Sequence, residues 1–298
     1  MPELPEVETM CRGLAPIVGR RIAAVEFPRS RVRPSPVRPG RTALARRVTG
    51  RHVAAVQRRG KRVILELSGP SGSEALWLVV EPRMTGLMLL VDPPSPEHVR
   101  LVLTLVPPRG HALRDHGPRD RGPHRLLFWD RRGLGTIRLC DARGLEAACG
   151  SRVLGPDGLQ VTAADLEARL RSSRRAIKVA LLDQRAVAGI GNIYAAEILF
   201  RSRIDPRTAC RRLHREHWER IAAETRAVLG EAVRLEGSSI GDETYRTVDA
   251  RVGRFQTRHR VYGRAGQSCH TCGSAIVRMV QAQRATFFCP RCQSRARR

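Results

Sequence analysis

VYGRAGQSCHTCGSAIVRMVQAQRATFFCPRCQ, residues 261–293, decides how the fold is read. It contains two Cys-x-x-Cys knuckles, Cys269–Cys272 and Cys289–Cys292, with sixteen residues between them. That spacing is the pattern of a four-cysteine zinc site. Each knuckle turns tightly enough to offer two thiolates, and Zn²⁺ takes four in a tetrahedron. With Cys269, Cys272, Cys289 and Cys292 filling all four positions, the Zn²⁺ has no open place for water and is expected to be structural. A redox pair is the competing reading, and a single knuckle would leave it standing; two together favour metal. Ala275–Met279 and Thr286–Phe288 then read as the strands of a hairpin between the knuckles. Arg278 and Arg284 sit on it, either as a phosphate reader or as a solvated charged face.

Moving outward, the chain before this module is helical. Thr162 with Asp165 three residues on is a capping-box start for a helix over Ala163–Ser172. Further helices are predicted over Ala176–Gln184, Ile193–Arg203 and Arg215–Leu235, and a mobile loop over Gly237–Arg254. Upstream of about Ala142 the texture changes. Short runs rich in Val, Ile and Leu, separated by Gly and Pro, read as strands: Arg21–Phe27, Val63–Leu67, Leu76–Val80, Met84–Val91, Val99–Val106, Leu126–Trp129 and Thr136–Leu139. A helix over 4–19 precedes them, with Val7, Cys11, Leu14 and Val18 at helical spacing and Gly19 as its stop. The expected class is α+β: an N-terminal helix and β-sandwich (1–141), a helical domain (142–254) and a C-terminal zinc finger (255–298). PPRGHALRDHGPRDRGPH, 107–124, reads as a mobile basic insertion between two strands. The arginine-rich end, Arg295–Arg298, is expected to fray.

Composition narrows the partner. Among 298 residues Lys and Arg number 54 against 28 Asp and Glu, a formal net charge of +26. A field of that sign suits a polyanion, nucleic acid first, and predicts strong salt sensitivity. Lysine is almost absent, so arginine-rich coding is the competing explanation. No apolar run approaches the ~20 residues needed to span a bilayer. The start, MPELPEVET, is acidic and lacks the marks of a signal peptide. The expectation is a cytoplasmic monomer that does not engage membranes, in a reducing compartment where eight cysteines do not form a disulfide framework. Cys11, Cys140, Cys149 and Cys210 then read as ordinary buried residues.

Residue 2 is proline, and a small second residue favours removal of Met1. The exposed group would be a secondary amine, partly unprotonated near neutral pH. Such an amine can attack a sugar C1′ and form an iminium. Glu3 beside it, and Glu6 one helical turn on, are carboxylates able to move protons. Alone, this start reads equally well as a helix opening with acidic first-turn residues.

PELPEVET, Gly189-Ile-Gly-Asn192-Ile-Tyr-Ala, and the finger together resemble the formamidopyrimidine-DNA glycosylase family over nearly the whole chain apart from 107–124. The resemblance implies a two-domain clamp with a helix-two-turn-helix motif, duplex DNA containing an oxidised base as partner, and a flipped nucleotide. It implies excision of oxidised purines (8-oxoguanine, formamidopyrimidines) and nicking of the abasic strand by β,δ-elimination, without a redox or nucleotide cofactor. Pro2 resembles the nucleophile, Glu3 the acid/base, and Lys61 the lysine that contacts phosphate and donates a proton. Asn192 resembles a phosphate-binding residue, where Gly189-Ile-Gly191 precedes a helix whose free N–H groups can face an anion. Arg284 resembles the finger arginine that grips phosphates. Met84 and Leu134 resemble apolar wedges, and Arg132 the arginine that reads the orphaned cytosine. Glu197, charged in an apolar stretch, is read as holding a turn or lining the site, not as catalytic.

Three departures stand out. Glu81-Pro82 replaces a His-Leu pair, Gly133 replaces a second basic residue, and Leu134 replaces an aromatic wedge. Two rival readings remain. One is the sister group acting on oxidised pyrimidines, resembling endonuclease VIII, whose start usually reads Pro-Glu-Gly-Pro rather than Pro-Glu-Leu-Pro. The other is a non-catalytic zinc-ribbon binder of damaged DNA, which would need none of Pro2, Glu3 and Lys61.

Overall fold

The computed structural model describes residues 2–30, 32–69, 74–107, 122–241 and 245–293. Most of the basic insertion (108–121), residues 242–244 of the loop and the arginine-rich end lie outside the described residues. The chain divides into two compact units. One comprises residues 1–2, 6–149 and 238–253, the other 3–5, 150–237 and 254–298. The segment 238–253, read from sequence with the helical domain, lies in the first.

Helix α1 (Leu4–Gly13), which belongs to the first unit from Glu6 on, buries Val7, Met10 and Cys11 at helical spacing, and Leu14 follows. It ends earlier than the predicted residue 19. A single 3₁₀ turn, Ala15–Ile17, intervenes before Gly19 at φ +84. Nine strands follow: β1 (Arg21–Glu26), β2 (Val37–Arg38), β3 (His52–Arg59), β4 (Arg62–Ser68), β5 (Leu76–Glu81), β6 (Gly86–Leu89), β7 (Val99–Val106), β8 (Arg125–Asp130) and β9 (Thr136–Cys140). Their order is β2-β9-β5-β4-β3-β1-β7-β8-β6. Only Arg21↔His52 joins β1 to β3, so the order falls into two sub-sheets, antiparallel except where β2 runs parallel to β9, closed on one core as a sandwich. Leu65, Leu78 and Val80 from one and Leu103, Leu126 and Phe128 from the other share that core with Val7 and Leu14. Helices α2 (Arg41–Val48) and α3 (Ala142–Cys149) flank the strands.

Met84 and Thr85 do not join β6 as the apolar run suggested. Arg83 takes a left-handed φ of +57, and the Thr85 hydroxyl donates to Asp130 Oδ1 at 2.5 Å, which holds both residues in a turn.

In the second unit, α4 (Ala163–Leu170) starts on the expected capping box between Thr162 and Asp165. Helix α5 (Ile177–Leu181) is shorter than its prediction. The Asp183 carboxylate accepts from Arg185 N at 3.0 Å, an Asx turn that competes with the helix. Helix α6 (Asn192–Arg201) is buried from Ile193 to Phe200, and α7 (Arg215–Arg234) buries Trp218, Ile221, Thr225, Val228 and Ala232 along one face. A two-stranded hairpin, β10 (Val277–Gln281) and β11 (Arg284–Phe288), completes the unit. Among the described residues no helix is long and apolar enough to cross a membrane.

Candidate active site and nucleic-acid interface

In the second unit the Glu3 carboxylate occupies the start of α6. It is 1% exposed, and its Oε1 accepts from Ile193 N at 3.0 Å. An unpaired helix N–H and the positive end of the helix dipole both favour an anion there. The turn before α6 is shaped for this residue. A Cβ on Gly191 would lie 2.5 Å from Glu3 Oε1 and 2.6 Å from Oε2. Gly189 adopts φ +103, and its carbonyl accepts from Leu4 N at 3.0 Å. Gln184 braces the turn, accepting from Gly189 N and donating to Ile190 O, both at 2.9 Å. One N–H of this helix N-terminus is thus taken by the protein's own Glu3.

Asn192, the first residue of α6, donates through Nδ2 to Ala285 O at 3.0 Å. Its Oδ1 accepts from Lys178 Nζ at 2.6 Å, and Lys178 also donates to Ala285 O at 3.2 Å. Lys178 is fully buried in α5, and sequence reasoning missed it. Burial, then the neighbouring Arg284 guanidinium, push its pKa down to about 8 against the opposing pull of Glu3. One signal was available: the chain has two lysines, Lys61 and Lys178. Arg284 itself is exposed at the start of β11. The turn that delivers it, Ala282–Gln283, has left-handed φ values of +47 and +60 without a glycine. Glu197 is buried and accepts from the backbone N–H groups of Arg260, Val261 and Tyr262 at 2.8, 3.0 and 2.8 Å. Burial raises its pKa against those three donors. It holds the turn leading into the finger, a different turn from the one before α6.

Four sulfur atoms, of Cys269, Cys272, Cys289 and Cys292, lie within 4.8 Å of one another. The Cys269–Cys292 and Cys272–Cys289 separations are 3.9 and 3.4 Å. Both are too long for a disulfide. Four thiolates at ~2.3 Å from a tetrahedral Zn²⁺ stand about 3.8 Å apart, so the donor set fits that ion. The scattered cysteines are buried as expected, with the Cys11 and Cys210 thiols pushed up by burial to about 12 and about 11.

In the first unit Pro2 is buried. Lys61 follows Gly60, φ +57, at the tip of the β3–β4 hairpin, where Arg59 pairs with Arg62. A two-residue turn with glycine first presents the lysine beyond both strands. Met84 is 37% exposed; Arg132 is exposed and Leu134 half-buried. The turn carrying Met84 and the loop carrying Arg132 and Leu134 are tied to one buried carboxylate. Asp130 accepts from Thr85 Oγ1 at 2.5 Å, Arg132 N at 3.2 Å and Gly135 N at 2.7 Å.

Two departures now have physical reasons. Gly133 has φ +61, and a Cβ there would overlap the carbonyl oxygen of Arg33, so no side chain fits. Glu81 pairs with Arg62 at 3.4 Å and Arg83 at 3.2 Å, which neutralises it. Glu6 does not join Glu3: its carboxylate accepts from Ser238 N at 2.8 Å.

Residues 1–137 match the family model of the formamidopyrimidine-DNA glycosylase N-terminal domain. Residues 154–244 match its H2TH domain, and residues 266–295 match the zinc finger found in FPG and IleRS. The formamidopyrimidine-DNA glycosylase of Thermus thermophilus is 43% identical over 296 residues, covering 98% of each chain. That of Solibacter usitatus is 38% identical, covering 99% of this chain and 100% of its own. Among solved structures, the MutM (Fpg) protein of Thermus thermophilus superposes with a TM-score of 0.81 at 38% identity, over 99% of both chains. Lactococcus lactis Fpg in complex with DNA containing an abasic site gives 0.81 at 30% identity, over 98% of this chain and 100% of that one.

Proposed function

The chain belongs to the formamidopyrimidine-DNA glycosylase family, and from that premise we propose that it excises oxidised purines from duplex DNA and then cuts the abasic strand. In this reading the amine of Pro2, freed by loss of Met1, attacks C1′ of the damaged nucleotide. The glycosidic bond breaks, the base leaves with a proton, and nitrogen and C1′ are joined as an iminium. β-Elimination then breaks the C3′–O bond and δ-elimination the C5′–O bond, leaving phosphate on both sides of the gap. Glu3 supplies and recovers the proton at the opening sugar ring. Lys61, Asn192 and Arg284 take backbone phosphates, and Lys61 also donates a proton. Met84 and Leu134 fill the space vacated by the flipped base, and Arg132 donates to the orphaned cytosine. Cys269, Cys272, Cys289 and Cys292 would hold one Zn²⁺, which stabilises the finger and takes no part in the chemistry. The protein acts as a monomer in the bacterial cytoplasm, on the nucleoid.

The observation that carries the reading is Glu3: a buried carboxylate, adjacent in sequence to Pro2, fixed by a helix N-terminus and a glycine gap. The test is borohydride trapping on a duplex containing 8-oxoguanine. A covalent adduct on Pro2, lost in Pro2→Gly, supports it. An adduct on an internal lysine overturns the nucleophile, and no adduct at all favours a damage-binding protein. Faster excision of thymine glycol than of 8-oxoguanine would move the chain to the oxidised-pyrimidine group.

A further inference from the structure

The arginine-rich stretch FPRSRVRPSPVRPGR, residues 27–41, meets the site described above at the Arg33 carbonyl beside Gly133, and its arginine side chains have no part in that site. Six of its residues and Arg100 line a cavity of about 320 Å³ in the first unit. Arg29, Arg41 and Arg100 line it with Ser30 and Ser35, and Pro28 and Pro34 stiffen its wall. No Asp or Glu is among the lining residues. That volume lies at the small end of ligand pockets, ~300–1,000 Å³.

Arg29 and Arg41 are exposed, whereas Arg100 is 6% exposed. Arg100 is held by neutral acceptors: Nε and Nη2 donate to Asp130 O at 2.9 and 2.8 Å, and Nη1 to Ser30 Oγ at 3.1 Å. The Arg41 guanidinium rests 5.8 Å from the centroid of Phe27. Among the described residues none of the three arginines forms an ion pair. Burial and Arg41 both depress the pKa of Arg100, opposed by the Asp130 charge. One carboxylate stands behind the lining, that of Asp130, which accepts from Ser35 Oγ at 3.5 Å; against it three guanidinium groups face the hollow, an excess of positive charge complementary to an anion, and the guanidinium fork matches the oxygens of a phosphate.

We propose that Arg29, Arg41 and Arg100 form a phosphate-binding pocket separate from the excision site. The carbonyl that seats Arg100 belongs to Asp130, whose carboxylate anchors the Met84 turn and the Arg132 loop. Occupancy of the pocket therefore bears on the two loops assigned above to reading the duplex. The phosphate has two sources, the backbone of the duplex or a free phosphate-bearing molecule, and the experiment separates them.

The full chain is compared with Arg29→Gln/Arg41→Gln, both at exposed positions, and with Arg46→Gln/Arg47→Gln as an equal loss of charge elsewhere. Inorganic phosphate is titrated at constant ionic strength and followed by ³¹P line width. In parallel, log K for an undamaged duplex is measured against log salt concentration. A phosphate affinity that falls at least five-fold in the pocket variant alone, with the salt slope unchanged, assigns the site to a free phosphate compound. A slope shallower by about 0.9 in the pocket variant alone is the loss of one duplex phosphate contact. Phosphate affinity and slope that match those of the control variant in both arms overturn the proposal. Borohydride trapping, measured on the same variants, is expected to persist and reports separately on the excision reading.

Discussion

Gly191→Ala tests how Glu3 is held. The added methyl would stand 2.5–2.6 Å from both carboxylate oxygens, so the carboxylate must leave the first turn of α6. Two overlapping terms are then lost. A hydrogen bond from a backbone N–H to a charged acceptor contributes ~1.5–3 kcal/mol. A carboxylate at a partly buried helix N-terminus contributes up to ~2 kcal/mol. Because they describe one contact, we expect a loss of about 2–3 kcal/mol. If the whole of it falls on the transition state, the rate drops roughly 30- to 150-fold at ~1.4 kcal/mol per decade. The assay is single-turnover excision of 8-oxoguanine from a duplex with enzyme in excess, alongside thermal unfolding. Gly191→Ala, Glu3→Gln and the double variant form a cycle, in which the double variant should be no slower than Glu3→Gln alone. Additive rate losses would refute the reasoning, since the glycine would then act on something other than Glu3. So would a wild-type rate in Gly191→Ala.

Three further outcomes are expected. With two lysines in the chain, ¹³C-lysine labelling gives two side-chain signals, and one should titrate near pH 8. That lowered pKa means the charged form of Lys178 opposes folding below about pH 8, and the penalty fades between there and 10.5; two lysines titrating above 10 would contradict the burial. His259 has its pKa pushed down to about 4 by burial, so the unfolded chain takes up the proton first. Stability should fall by about 3 kcal/mol as pH drops from 6.5 through 4, and His259→Phe, if it folds, should flatten that acid limb in urea titrations at each pH. Left-handed backbone in a residue with a side chain costs ~1–2 kcal/mol. Ala282→Asn/Gln283→Gly should therefore raise the unfolding free energy by about 1–2 kcal/mol, while an unchanged midpoint would mean the turn relaxes elsewhere.

The finger was legible because its chemistry is local: both knuckles and both strands lie within 33 residues of sequence. So was the start of α4, where the two halves of the capping box stand three residues apart. Strand β3 escaped notice because Gln57, Arg58 and Arg59 fill its end, and a register shift between Val53 and Ala55 breaks the alternation. The site was legible only through isolated motifs. Lys178 has no sequence neighbour that marks it; its partners stand 14 and 107 residues away. Gly133 looked like a lost cation, when its meaning is steric and depends on a carbonyl a hundred residues earlier. Asp130, which joins the two loops of the first unit, was not singled out, because its partners Thr85, Arg132 and Gly135 come together only in the fold.

The division of the chain has a genetic consequence. The backbone changes unit five times, contributing residues 3–5 early to one and 238–253 late to the other. A fragment ending at residue 149 would lose Val248, whose carbonyl accepts from Leu90 N at 2.9 Å and whose side chain sits against Gly13. A fragment beginning at residue 150 would lose Leu4 and the partner of the Gly189 carbonyl. Neither unit can therefore be inherited, swapped or expressed as an uninterrupted stretch of gene. A single crossover between two such genes yields hybrids that must match at several seams at once. Variation in a protein threaded this way is confined to substitutions and to insertions in loops.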